Sequence, residues 1–475
     1  MLIGRKREQQ QIMEAFSSSK SEFMVVYGRC SVGKTYLVGE VFNYNFAFEY
    51  TSTSHTPLKS QLKEFKYSLE KNGFKAGKIV DWIDAFHALQ RKLEDMREGR
   101  KVLFIDEIQW LDTPRSGFIP ALEHFWNGWA VHRKDILLIV CGSSTSWIIN
   151  ELVQNYGGLH NRITYQIRLE PFTLHECELM AQYSDLQYPR YQLLEAYMIL
   201  GGVPFYWSLM KKGLSLAQNI DNLFFSSTGQ LRNEFNSLYA SLFKNADPYI
   251  NIVMILGQKK VGMTMEEITK EGGIAYNGNL TRILSDLEYC GFIRKYNSLG
   301  YKKKEAIYQL IDNFTLFYFK YMQENSRNDE NFWSQNIDSP LHNAWTGLAF
   351  ERVCLQHTKQ IKKALGIAGV ESAEYSWISK RNKRKEDGER GVQIDLLIDR
   401  KDQVINMCEM KYSREKYEID DEYAKKLIHK KEVFIKESGT TSAVHTTMVT
   451  VYGIKHNINS GIVQKEITAE DLFAE

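Results

Sequence analysis

Residues 23–35 read FMVVYGRCSVGKT: an apolar run enters Gly28, four residues follow, and Gly33-Lys34-Thr35 closes the stretch. This is GxxxxGK[ST] in full, and phosphate binding requires that spacing. The backbone N–H groups of Arg29, Cys30, Ser31, Val32 and Gly33 can curl around phosphate oxygens. The glycines permit the close approach and the φ values that a side chain would forbid. The helix that starts at Thr35-Tyr36 aims its positive end at the same oxygens. Lys34 would neutralise the β and γ phosphates, and the Thr35 hydroxyl would hold magnesium. Residues 28–36 are therefore the expected phosphate-binding loop of a nucleotide site.

A second apolar run, VLFIDEIQW at 102–110, ends in an acidic pair. Asp106 would hold the magnesium water shell, and Glu107 would polarise the attacking water. An acidic pair at a strand end is common; after a complete phosphate loop it points to hydrolysis. A third run, DILLIVCG at 135–142, ends in Ser143-Ser144. Ser143 could read the γ-phosphate, or the pair could be a plain serine-rich turn.

A second constellation lies near the C-terminal end. Residues 393–411 read QIDLLIDRKDQVINMCEMK, two strand-like runs around a turn. Asp395 stands in the first, Glu409 and Lys411 in the second. Strict alternation would bring Asp395 and Glu409 to one side of the hairpin. Carboxylates so close are comfortable around a divalent metal, with Glu351 from an upstream helix as a third ligand. Such a metal would lower the pKa of bound water, and Lys411 would position or deprotonate it. The plain alternatives are an inter-strand salt bridge or the same arrangement without catalysis.

The elements that must position these groups fall into three textures. The 475 residues exceed one hydrophobic core and suggest about three units. Up to about residue 170, short apolar runs alternate with amphipathic ones, as in a parallel α/β sheet. Residues 171–325 are mainly helical, and QENSRNDENFWSQ at 323–335 reads as a linker. Within 249–312, three helical runs precede a hairpin bearing Lys302, Lys303 and Lys304. The pattern is that of a winged helix whose third helix buries Leu280, Ile283, Leu284 and Leu287. It would contact DNA phosphates, or pack only against the rest of the chain. The segment SKRNKRKEDGER, with five basic residues in 380–385, is a further candidate for a phosphate backbone.

Composition narrows the classes. With 60 Lys+Arg against 58 Asp+Glu, the formal charge is only +2, so any basic faces are local. Six scattered cysteines form no CxxC pair, which excludes a disulfide framework and fits a reducing interior. No HxxxH or HExxH pair suggests zinc. No apolar run of signal-peptide or membrane-span length occurs, so the expectation is a cytoplasmic protein with no membrane role.

Together IGRKREQQQI, GRCSVGKT, VLFIDEIQW, VCGSSTSW, LHNRITYQIRLEPFTLHE and GGVPFYW resemble the archaeal-type ATPase family, AAA+-related and close to the STAND signalling ATPases. The resemblance implies that Gly4 and Arg5 lie near the adenine. It implies that Arg162 contacts nucleotide in cis or across the boundary of a homo-oligomer, and that Gly201-Gly202-Val203-Pro204 marks a helical lid. The order Glu351, Asp395, Glu409-x-Lys411 resembles the PD-(D/E)xK nuclease superfamily. The expected fold class is α/β: a P-loop parallel-sheet ATPase core over 1–170, a helical lid over 171–245, a winged helix over 246–325, and a restriction-endonuclease-like domain over 336–475. The expected function is ATP-governed control of a magnesium-dependent DNA nuclease. The alternatives are a nucleotide switch that binds DNA or protein and cuts nothing, and a chaperone-like ATPase.

Overall fold

A computed structural model describes residues 2–97, 99–154, 157–159, 161–243, 245–297, 306–323, 329–337, 339–379 and 391–475. Lys302, Lys303, Lys304 and the basic segment 380–385 lie outside the described residues. The chain divides into two compact units, Met1–Glu170 with Ser241–Phe243, and Pro171–Ala240 with Lys244–Glu475.

The first unit is built on five parallel strands: β1 (Glu22–Tyr27), β2 (Phe48–Thr51), β3 (Lys101–Asp106), β4 (Ile136–Gly142) and β5 (Tyr165–Arg168). Their order is β2-β3-β4-β1-β5. Every residue of β1, β3 and β4 is buried, which is why these segments read as continuous apolar runs rather than alternating ones. Two charges in them are paired: Lys101 meets Asp135 at 2.6 Å, and the Ser18 hydroxyl donates to Glu22 at 2.6 Å. Helices α1 (Lys6–Ser17) and α2 (Lys34–Val41) bury Ile12, Ala15, Leu37 and Val38 against Met24, Val26, Ile139 and Ile167. Helices α3 (Leu58–Glu70), α4 (Trp82–Glu94) and α5 (Phe118–Gly128) share an aromatic core of Phe65, Trp82, Phe86 and Phe118. Because all five strands run parallel, the carboxyl ends of β1, β3 and β4 share one edge of the sheet. That edge is where an open α/β sheet binds ligands.

The second unit opens with α6 (Leu174–Tyr183), started by a reciprocal capping box between Thr173 and Glu176, and α7 (Arg190–Leu200). Then come α8 (Asp247–Gly257), β6 (Met263–Thr264), α9 (Met265–Gly272), α10 (Gly278–Tyr289), β7 (Ile293–Tyr296) and β8 (Ile307–Leu310). The three strands form an antiparallel sheet in the order β6-β8-β7. Helix α10 buries Leu280, Ile283, Leu284 and Leu287, the stripe its periodicity predicts, and exposes Asn279, Thr281 and Arg282.

The C-terminal part adds α11 (Pro340–Gln356), β9 (Ser372–Ile378), β10 (Gln393–Arg400), β11 (Val404–Lys411), α12 (Asp421–Ser438), β12 (Ala443–Thr450) and β13 (Lys465–Ile467). The sheet order is β13-β12-β11-β10-β9, antiparallel across β9-β10-β11 and parallel across β11-β12-β13. Strand β9 is absent from the sequence reading. It is an edge strand with a half-polar sequence, SAEYSWI, and little apolar periodicity to signal it.

Candidate functional site

The phosphate loop follows β1 directly. A Cβ on Gly28 would lie 2.3 Å from the Leu169 carbonyl oxygen, so no larger residue fits there. Ser31 and Gly33 both take left-handed φ values, 65° and 91°, which fold the loop back onto the start of α2. Lys34 donates to the carbonyls of Gly28 (3.0 Å) and Arg29 (2.9 Å), so its ammonium spans the loop. Val32 is buried in the core and anchors the loop from beneath. Arg29 is buried, Cys30 is half-buried beside the Ser31 hydroxyl at 3.6 Å, and Tyr36 is exposed on α2.

Thr35, on the first turn of α2, donates its hydroxyl to Asp106 Oδ2 at 2.7 Å. The other Asp106 oxygen accepts the Glu107 N–H at 2.9 Å. Burial pushes the Asp106 carboxyl above the ordinary range, while the Thr35 hydrogen bond and the Lys34 charge pull it back. A buried carboxylate beside a hydroxyl, both hard oxygen donors, fits magnesium, which takes one or two protein oxygens and leaves the rest to phosphate and water.

Glu107 holds a left-handed φ of 52° just past β3. Its Oε2 accepts the Ser143 hydroxyl from the end of β4 at 2.7 Å. It also accepts the Gln109 amide at 2.5 Å, and that amide reaches Ser143 Oγ at 3.1 Å. Ser143 is thus tied to the acidic pair. Gln109 is a residue the sequence reading passed over, although it stands within the same apolar run.

Gly4 and Arg5 both have positive φ, and the Arg5 guanidinium donates to the Glu170 carbonyl at 2.6 Å. They therefore lie beside segment 169–170, which touches Gly28. Arg162 is placed differently from the expectation of a cis contact. It sits in an exposed turn before β5, where the neighbouring Thr164 N–H bonds the Phe23 carbonyl at 2.9 Å. That is the amino edge of the sheet, separated from the loop by the length of β1, about 20 Å at strand rise. Parallel strands force this, because the chain returns to the amino edge before each new strand. Arg168, by contrast, stands at the carboxyl edge with the loop, paired in register with Tyr27 and bound to Glu170 at 2.8 Å.

The C-terminal acids do not converge as alternation predicts. The register between β9 and β10 shifts between Ile394 and Leu397, and both side chains join the core around Phe434 of α12. This bulge breaks the alternation at Asp395. Asp395 accepts Gln393 Nε2 at 2.5 Å, and its charge, after burial, raises the pKa of Glu351 on α11. Glu351 receives Lys260 Nζ at 2.7 Å. Glu409 instead meets α12, accepting Tyr423 Oη and Lys430 Nζ at 2.7 Å each, with Lys411 at 3.2 Å. Burial works against the Glu409 charge, but Lys430 and Lys411 hold its carboxyl below the usual range. Among the described residues no group of three or more His, Cys, Asp or Glu is placed to hold a metal. In this arrangement Glu351, Asp395 and Glu409 do not fit one metal centre. Among the described residues, too, no helix is long and apolar enough to cross a membrane.

The family model for an ATPase domain predominantly from Archaea matches residues 2–209. An uncharacterized protein of Methanocaldococcus jannaschii is 24% identical over 368 residues, covering 76% of this chain and 78% of its own. Among solved structures, a Walker-type ATPase of Pyrococcus abyssi is similar over 66% of this chain and 95% of its own, at 15% identity and a TM-score of 0.47. The ORC2 protein of Aeropyrum pernix, in ADPNP and ADP complexes, covers 66% of this chain and 92% of its own, at 14% identity and a TM-score of 0.39. Residues 2–209 thus carry an ATPase domain of the archaeal type, with the P-loop at the carboxyl edge of its parallel sheet.

Proposed function

We propose that the protein is an ATP-hydrolysing switch whose first unit turns over Mg-ATP and whose second unit is the element it controls. The observation that carries this is the 2.7 Å bond between Thr35 and Asp106, with Glu107 beside it. Backbone groups of 28–33 and Lys34 would hold the phosphates. Thr35 and Asp106 would hold magnesium, which supplies charge neutralisation of the phosphates. Glu107 would accept the proton of the attacking water, and Ser143 would lie within reach of the γ-phosphate. Gly4 and Arg5 would border the base. Arg162, at the far edge of the sheet, would act only on a neighbouring copy's nucleotide, which makes a homo-oligomer part of the proposal. Release of phosphate from ATP by the purified chain, lost in Lys34→Ala and in Glu107→Gln, tests it. Unchanged release in both variants sinks it.

Beyond the ATPase core we assign 171–245 as a lid, 246–325 as a winged helix and 336–475 as the output domain. The exposed α10 face, with Asn279, Thr281 and Arg282, is the part suited to DNA, and its binding should weaken steeply with salt. A second reading, a metal-dependent nuclease, is favoured by the sheet order β13-β12-β11-β10-β9 with Asp395 and Glu409-x-Lys411 on adjacent strands. It requires Asp395 and Glu409 to regroup. Plasmid nicking with magnesium or manganese, abolished by Asp395→Ala and Lys411→Ala, would establish it. No cleavage in any nucleotide state leaves the non-cutting switch.

A further inference from the structure

Gln109 has no part in the loop or the acidic pair, yet its surroundings are built for it. It is 8% exposed, two residues beyond Glu107. Its Nε2 donates to Glu107 Oε2 at 2.5 Å and to Ser143 Oγ at 3.1 Å, while Ser143 donates to the same Glu107 oxygen at 2.7 Å. The three side chains close a triangle in which Oε2 takes two hydrogen bonds and Oε1, among the described residues, takes none. The far end of the amide is wedged: a Cβ on Gly142 would stand 2.6 Å from Gln109 Oε1 and 2.9 Å from Ile148 Cδ1. That Oε1 is buried and accepts no hydrogen bond. A buried acceptor left unpaired is costly, so the site keeps the amide for its donor end.

We propose that Gln109 is a positioning residue for ATP hydrolysis, pinning Glu107 Oε2 so that Oε1 faces the attacking water. This rests on the reading of Glu107 as general base. In that step the water oxygen bonds to the γ-phosphorus as the bond from phosphorus to the ADP oxygen breaks, and the water proton passes to Glu107 Oε1. A carboxylate free to rotate would present Oε1 only part of the time, so losing the pin lowers turnover and not ATP binding.

Three variants test it, each with kcat, KM, affinity for a fluorescent ATP analogue and thermal melting. Gln109→Leu removes both donations, and kcat should fall about 10- to 100-fold with KM and affinity within about twofold. Gly142→Ala should lower kcat similarly by displacing the intact amide, and the double variant should be no worse than Gln109→Leu alone. Gln109→Glu keeps the shape but replaces the donating amide with a carboxylate that cannot donate to Glu107, so kcat should fall at least as far as in Gln109→Leu, again with KM within about twofold. That readout remains if the leucine variant fails to fold. Unchanged kcat in Gln109→Leu, a rise in KM alone, or unchanged kcat in Gln109→Glu would overturn the proposal. If Glu107→Gln still hydrolyses ATP, the general-base reading itself fails. If Glu107→Gln is inactive and the Gln109 variants are normal, only the positioning role fails.

Discussion

The Thr35 hydroxyl and Asp106 Oδ2 are separated by 71 positions in the chain and by 2.7 Å in space. Two parallel strands and the turn into α2 bring them together, and the bond preforms a pair of hard oxygen donors. Burial raises the Asp106 pKa, so the isolated carboxylate is strained electrostatically and a cation relieves it. Asp106→Asn should therefore leave the melting temperature equal or higher while magnesium-dependent hydrolysis falls about 100-fold or more. Thr35→Ser should retain hydrolysis, and Thr35→Ala should lose it. Phosphate release at graded magnesium, beside a melting curve for each variant, checks all three.

His357 accepts the Leu174 N–H through Nε2 at 3.0 Å, and its Nδ1 faces the Val353 carbonyl at 2.8 Å. The ring is therefore neutral, with its proton on Nδ1. Burial lowers its pKa from 6.5 to about 4. Between those values the unfolded chain binds the proton and the folded chain does not. Stability is then full above about 6.5 and is lost as pH falls toward 4, by up to about 3 kcal/mol. His357→Gln should lower stability at neutral pH and flatten this acid slope, read by urea denaturation across the range. An unchanged slope would refute the assignment.

Glu195 on α7 has the opposite sign. Burial raises its carboxyl from 4.5 to about 7, with the Arg414 charge opposing. His342 Nε2 lies 3.7 Å away. The folded chain keeps a proton that the unfolded chain releases, so this contribution is full below about 4.5 and is lost as pH rises through 7. Glu195→Gln should raise the melting temperature at pH 8 and change it little at pH 4.5.

Lys260 supplies the side-chain hydrogen bond to Glu351, whose other oxygen is buried without a partner. The Lys260 carbonyl also receives Arg352 and Gln309, at 2.5 and 2.8 Å. Lys260→Met should destabilise by about 1–3 kcal/mol, since it leaves a buried carboxylate unpaired. The added change Glu351→Gln should recover part of that loss, so the two effects should not sum in chemical denaturation.

Legibility in the sequence followed locality. The loop from Gly28 to Thr35 is contiguous, its spacing is set by backbone geometry, and strand, loop and helix stand where the pattern requires. The α10 stripe was equally plain, because a helix repeats its buried face every turn. Strand β9 was not, because an edge strand with polar alternate positions carries little signal. The family resemblance allows Arg162 a nucleotide contact in cis or across a subunit boundary, and the parallel topology, which puts it at the opposite edge of the sheet from the loop, speaks only against the first.

What the sequence determined by itself was the phosphate-binding chemistry, the acidic pair at a strand end and the α/β character of the first unit. Each depends on residues adjacent in the chain, so residue type and spacing are enough. Only the tertiary structure decided which acids meet. It joined Thr35 to Asp106 and tied Glu107 to both Gln109 and Ser143. It also parted Asp395 from Glu409, because a one-residue bulge in β10 reverses the side on which a strand residue stands. Local patterns are written in the chain, whereas the register of distant strands is settled by packing across it.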